Sequence, residues 1–181
     1  MVKLIGVAMI RWDLGIVGYV ASSPQDIEAT YSNVFLRCYP TTLDMTKESS
    51  GKVSCIVNTM LGSLPIRALA IILDPYGIAN DVGTRRRVRR SVVLDGVYSW
   101  FANYLRSRSL VNEEDDLEVN GELLSLTRFI RARVDGYASA LAGVVSTIIR
   151  AKGVDVSKLP IDIVDVREEA RKYVEESVVR V

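Results

Sequence analysis

Nine residues of this chain, GTRRRVRRS from Gly83 to Ser91, hold Arg85, Arg86, Arg87, Arg89 and Arg90. Guanidinium groups at that density recognise carboxylate or phosphate oxygens through paired, charge-assisted hydrogen bonds. The formal net charge of the 181-residue chain is only +1, so the patch is local and does not belong to a general positive coat for nucleic acid. Three anions could meet it: acidic residues of the same chain, an acidic protein surface, or the phosphates of a nucleic acid, nucleotide or lipid. A solvated segment ahead of a helix, partly neutralised by Asp81, Asp95 or the NEEDD cluster of 112–116, is the plain structural alternative, because charge runs are usually solvated. No aromatic residue interleaves the arginines, which weighs against stacking of single-stranded bases.

Catalytic chemistry has few carriers. The chain has no histidine, so Ser-His-Asp and Cys-His pairs, imidazole bases and histidine zinc ligands are excluded together. No G-x-x-x-x-G-K-[ST] loop is present, and no G-x-G-x-x-G opens a helix. Asp74, at the end of an apolar run, stands where a magnesium-dependent enzyme could hold its ion. The Asp74-Pro75-Tyr76-Gly77 stretch also fits a type I turn at each corner that has a preference, and that fit favours the turn. Asp13, in a hairpin turn, has the same plain reading. NEEDD lacks the alternating oxygen ligands and central glycine of a calcium loop and reads as a solvated loop. Cys38 and Cys55 are not a C-x-x-C pair; two separate buried thiols in a reducing cytoplasm are expected, with a bridge left open by a composition that suits a heat-adapted organism. The sequence implies no cofactor and no metal.

These residues need a scaffold. LIGVAMIRWD and GIVGYVASS flank a charged turn and predict a β-hairpin. In SSPQDIEATYSNVFLRCY, Ser23 is placed as N-cap and Pro24 at the first helical position, and Ile27, Tyr31, Val34 and Cys38 recur at helical spacing. KVSCIVNTML reads as a strand, and IRALAIILDPYG as a central strand. SVVLDGVYSWFANYLRS predicts a helix with an aromatic stripe. Extended backwards, that helix would carry Arg86 and Arg90 onto its apolar face, and arginines in its first turn would oppose the helix dipole.

The segment from Gly121 to Gly153 reads as one long helix, on which Ala132, Gly136, Ala140 and Gly143 make a strip of small residues able to pack on the sheet or to form a dimer surface. PIDIVDV and REEARKYVEESVV predict a short strand and a last helix, with Asp165 and Glu168 as a capping box. The expected organisation is one α/β domain over 1–153 and a C-terminal extension over 154–181. No apolar run reaches the roughly 20 residues of a membrane span, and MVKLIGVAMIRWD lacks the pattern of a signal peptide.

The hairpin AMIRWDLGIVGYVAS, the SPQDIEATYSNVF helix and LPIRALAIILD leading to VYSWFANYL resemble, in element order, the longin and roadblock group of profilin-like folds. The resemblance implies an antiparallel sheet of about five strands flanked by helices. It also implies a non-catalytic scaffold or adaptor that engages a small GTPase or another protein and commonly forms homodimers. A small protein that holds nucleic-acid phosphates on Arg85 to Arg90 is the alternative, and an enzyme built on Asp74 comes third.

Overall fold

IVGYVAS forms β2 (Ile16–Ser22), a strand covered on both faces, and all its residues are buried. It lies at the centre of a computed structural model that describes residues 3–9, 15–62, 66–119, 122–125, 130–133, 136–151 and 153–177. β2 pairs antiparallel with β1 (Leu4–Met9), the predicted hairpin, and with β3 (Arg67–Ile72), the predicted central strand. β4 (Asp116–Val119) runs parallel to β1, with Gly6 beside Glu118. It leads into an antiparallel meander with β5 (Glu122–Ser125) and β6 (Ile130–Arg133). β7 (Asp162–Asp165) runs parallel to β3.

Among the described residues the order β6-β5-β4-β1-β2-β3-β7 is therefore a mixed sheet of seven strands, and the expectation of an antiparallel sheet of about five is corrected. The two parallel pairs arise because the chain reaches β4 and β7 only after helices, the connection that parallel neighbours require. The segment expected as a C-terminal extension supplies the β7 edge and a helix whose Ala170 and Val174 are buried in the core.

Period-two alternation sends the sheet's side chains into two cores. Val17, Tyr19, Ala21, Leu69 and Ile71 face α3 (Pro75–Arg86), α4 (Arg90–Ser107) and α6 (Arg167–Ser177). Ile16, Val20, Ala68 and Ala70 face α1 (Pro24–Cys38), α2 (Ser50–Gly62) and α5 (Tyr137–Ile148). In the first core the Tyr19 hydroxyl donates to the Leu110 carbonyl at 2.6 Å, tying β2 to the loop after α4. Burial pushes its ionisation up to about 12.

α1 begins as predicted, with Pro24 in its first turn and the Asp26 amide donating to the Ser23 hydroxyl at 3.1 Å. KVSCIVNTML is not a strand but most of α2. Its buried Val53, Ile56, Val57 and Met60 recur at helical spacing, and the alternation that suggested a strand yields to packing on α1. That change decides the cysteines. Two packed helices bring Cys38 and Cys55 to a Cα separation of 5.7 Å, and they form a disulfide, correcting the expectation of two separate thiols.

The long helix expected from Gly121 to Gly153 is divided instead into β5, β6 and α5. Gly136, at φ 81°, starts α5 in a left-handed conformation that suits glycine. The expected strip of small residues is dismantled: Ala132 belongs to β6 and Gly136 caps α5, while Ala140 and Gly143 are half-buried. The small residues that seat α5 are Ala138 and Ala142. A Cβ at Gly6 would lie 2.2 Å from the Ala138 carbonyl oxygen, and one at Gly18 would lie 1.8 Å from that of Ala142. Position 143 is open, with nothing within 4 Å of an added Cβ.

Gly18→Ala is therefore expected to destabilise the protein by about 3 kcal/mol through overpacking against backbone, whereas Gly143→Ala should stabilise it by about 0.5–1 kcal/mol through helix propensity; urea unfolding of both variants checks the opposite signs. The disulfide closes a loop with a sequence separation of 17, for which the chain-entropy account gives about 3 kcal/mol. Unfolding in the presence of a strong thiol reductant should lose stability of that order, and Cys38→Ser/Cys55→Ser should lose it without reductant.

Candidate functional site

The arginine segment is a corner between two helices. Asp74 begins α3: its Oδ1 accepts the Gly77 amide at 3.2 Å, Pro75 follows, and Asp74 itself is left-handed at φ 49°. The predicted turn is thus the first turn of a helix, and the Asp74 carboxylate serves as its cap. Ile78, Ala79 and Val82 bury α3 against the first core. α3 ends where Arg87 turns left-handed at φ 55° and the Val88 amide donates to the Gly83 carbonyl at 3.1 Å. Arg89 returns to extended backbone and α4 starts at Arg90 with no side-chain cap.

The break at residues 87–89 solves the problem posed by the sequence. α4 does not extend back through the arginines, so Arg86 is not carried onto its apolar face, and all five arginines are exposed. Arg85 and Arg86 lie in the last turn of α3, where the dipole favours cations, while Arg89 and Arg90 crowd the first turn of α4, where it opposes them.

The five arginines do not share one role. Arg85 forms a bidentate pair with Asp81, with Nε–Oδ1 at 3.2 Å and NH2–Oδ2 at 3.1 Å, and also contacts Glu175 of α6. Asp81 is shared with Arg171. Donating hydrogen bonds to Asp81 and then to Glu175 raises the Arg85 ionisation further above its ordinary range, and accepting them from Arg85 holds the Asp81 carboxyl below its own. Arg85 therefore fastens α3 to α6. Arg90 lies over the Tyr76 ring of α3, 5.3 Å from its centroid, a cation–π contact. Among the described residues Arg86, Arg87 and Arg89 have no ion pair.

The other candidates are structural. In NEEDD, Asp115 is buried and accepts the Asn112 amide at 3.0 Å and the Lys3 amide at 3.2 Å, and Asp116 opens β4. Sequence patterning missed this loop lock, and also the buried Glu118, whose Oε1 accepts the Ser139 amide at 3.0 Å and the Ser139 hydroxyl at 2.9 Å near the start of α5. Asp13 lies outside the described residues.

Asp74 and Asp165 border a cleft of about 950 Å³ beside α6. Asp165, expected as half of a capping box with Glu168, accepts the Arg167 amide at 3.1 Å and pairs with the Arg167 guanidinium at 2.6 Å. Among the described residues no three Cys, Asp or Glu side chains gather as a metal-binding group. Comparison with known proteins finds no matching family model, curated protein or solved structure. No helix among the described residues is long and apolar enough to cross a membrane.

Acid should loosen this face. Arg85 and Arg167 hold Asp81 and Asp165 below the ordinary value of 3.8 when folded. A depressed carboxyl stabilises the fold fully above its unfolded value, and that stabilisation is lost as pH falls through the folded one. The unfolding midpoint is thus expected to hold steady with respect to these two groups from neutrality to about pH 5 and to fall below about pH 4. Arg85→Gln should flatten part of that fall in a pH series of thermal melts.

Proposed function

We propose that this protein is a non-catalytic interaction module that docks an acidic protein surface on the α3–α4 corner. The observation that carries this reading is the division of labour among the arginines. Arg85 is consumed internally by Asp81 and Glu175, while Arg86, Arg87 and Arg89 stand exposed with no anionic partner among the described residues and Arg90 is held beside them by Tyr76. Two of these cations oppose the dipole of α4, a cost that a bound carboxylate would remove. The longin and roadblock resemblance of the hairpin and α1 suggests a small GTPase as the partner class. The composition suits the cytoplasm of a heat-adapted organism, where the Cys38–Cys55 disulfide would persist.

The test uses a variant with Arg86, Arg87, Arg89 and Arg90 changed to Gln and Arg85 left in place to keep α6 docked. A fluorescent glutamate-rich peptide should bind the wild type at low salt and bind the variant at least about tenfold more weakly, since close opposite charges steer and hold such contacts. Duplex and single-stranded DNA should bind weakly at physiological salt. Tight DNA binding there, with a salt slope of about 0.9 per phosphate contact and loss in the variant, would replace the protein partner by nucleic acid.

A further inference from the structure

Helix α1 carries apolar side chains on the side turned away from the domain. Ile27, Thr30, Val34 and Cys38 are buried; opposite them Gln25, Ala29, Ser32 and Leu36 form an exposed line at spacings of four, three and four residues. Phe35 is 38%, Leu36 70% and Tyr39 75% exposed, so three of the five large apolar side chains exposed among the described residues stand at one end of this helix. A concentration of apolar surface of this kind marks an interaction site.

The patch is held in place. Phe35 packs on Tyr31 at 4.8 Å between ring centroids, and Tyr31 stacks on Tyr137 of α5 at 4.4 Å. Cys38 is bonded to Cys55 of α2, and Tyr39 follows it in a left-handed conformation at φ 47°. Phe35, already packed on Tyr31, loses little side-chain entropy on binding.

We propose that this face pairs with the same face of a second copy, the two α1 helices lying antiparallel about a two-fold axis near Ser32. The residues of the helix suit their own symmetry mates. Ala29 falls opposite Leu36 of the second copy, small against large, Ser32 meets Ser32, and Gln25 falls opposite Tyr39. Asp26 and Arg37, eleven residues or about three turns apart, share one flank. A two-fold axis perpendicular to the helices keeps that flank on one side of the pair, so antiparallel pairing sets each Asp26 toward the other copy's Arg37. Neither has an ion pair among the described residues of its own chain. α1 lies on the opposite side of the sheet from α3 and α4, so the pair would leave both arginine corners open, and the four-Gln variant should remain dimeric.

Sedimentation equilibrium from about 1 to about 100 µM, the range of a modest interface, should show a reversible dimer for the wild type. Leu36→Glu/Tyr39→Glu should weaken it at least about 30-fold, as burying the new carboxylates requires, with the circular dichroism spectrum unchanged. Arg37→Asp should weaken it about tenfold by facing Asp26 with a like charge, and Asp26→Arg/Arg37→Asp should restore it. Both flank variants oppose the α1 dipole and so lower the thermal midpoint slightly, a readout separate from association. A wild type that stays monomeric, including one whose α1 face binds a different protein, overturns the pairing. So does a dimer that survives the Leu36 and Tyr39 changes, or one that the double flank swap fails to restore.

Discussion

The backbone of α5 rests directly on the first hairpin, and the rest of the architecture follows from that contact. With a Cβ at Gly18 only 1.8 Å from the Ala142 carbonyl oxygen, only glycine allows the helix to lie this close. α5 then covers β1 and β2 together, Leu141, Val145 and Ile148 fill the second core, and α1 is left to pack beside it as the outer layer. The carboxylate of Glu118, buried on the strand next to β1, accepts the Ser139 amide and sets the start of α5. A buried carboxylate without such partners would be strongly unfavourable, so this bond and the glycine seat support each other.

On the opposite face the assembly is held by ions and caps as well as by apolar contact. α3 is started by Asp74 and fastened to α6 by Arg85, Asp81, Arg171 and Glu175. Exposed ion pairs are individually worth little, but this network fixes which arginine is held by carboxylates of its own chain. The remaining four are displayed at the corner because α3 ends at a left-handed Arg87 before α4 begins. Placing the proposed interaction surface there and the proposed self-pairing surface on α1 puts the two on opposite sides of one rigid sheet.

Much of this was legible in local patterning. The first hairpin, the Ser23 cap and α1, the apolar run of β3, the aromatic helix α4, and the β7 strand with α6 all follow from period, caps and breakers. The strand reading of Lys52 to Leu61 failed because apolar and polar residues alternate over part of this stretch, although Val53, Ile56, Val57 and Met60 already spelled a helical face. The single long helix failed at Gly136, because a strong apolar helix nearby made the preceding alternating segment look continuous with it. Of the candidate site, the exposure of the arginines was readable from their charge. Their separation into one structural and four displayed residues was not, because Glu175 lies 90 residues from Arg85.

The sequence by itself determined the absence of imidazole chemistry, the local concentration of positive charge, and the places where the chain must turn or cap a helix, since these depend on residue type and near neighbours. Only the tertiary structure decided the mixed sheet, the Cys38–Cys55 bond, the burial of Asp115 and Glu118, and the exposed apolar end of α1. Each of those depends on contacts between segments distant along the chain. Their free energy comes from packing that no single stretch of sequence contains: two thiols can bond only when two helices bring them within reach, and a leucine at helical spacing is core or surface according to which face finds a neighbour.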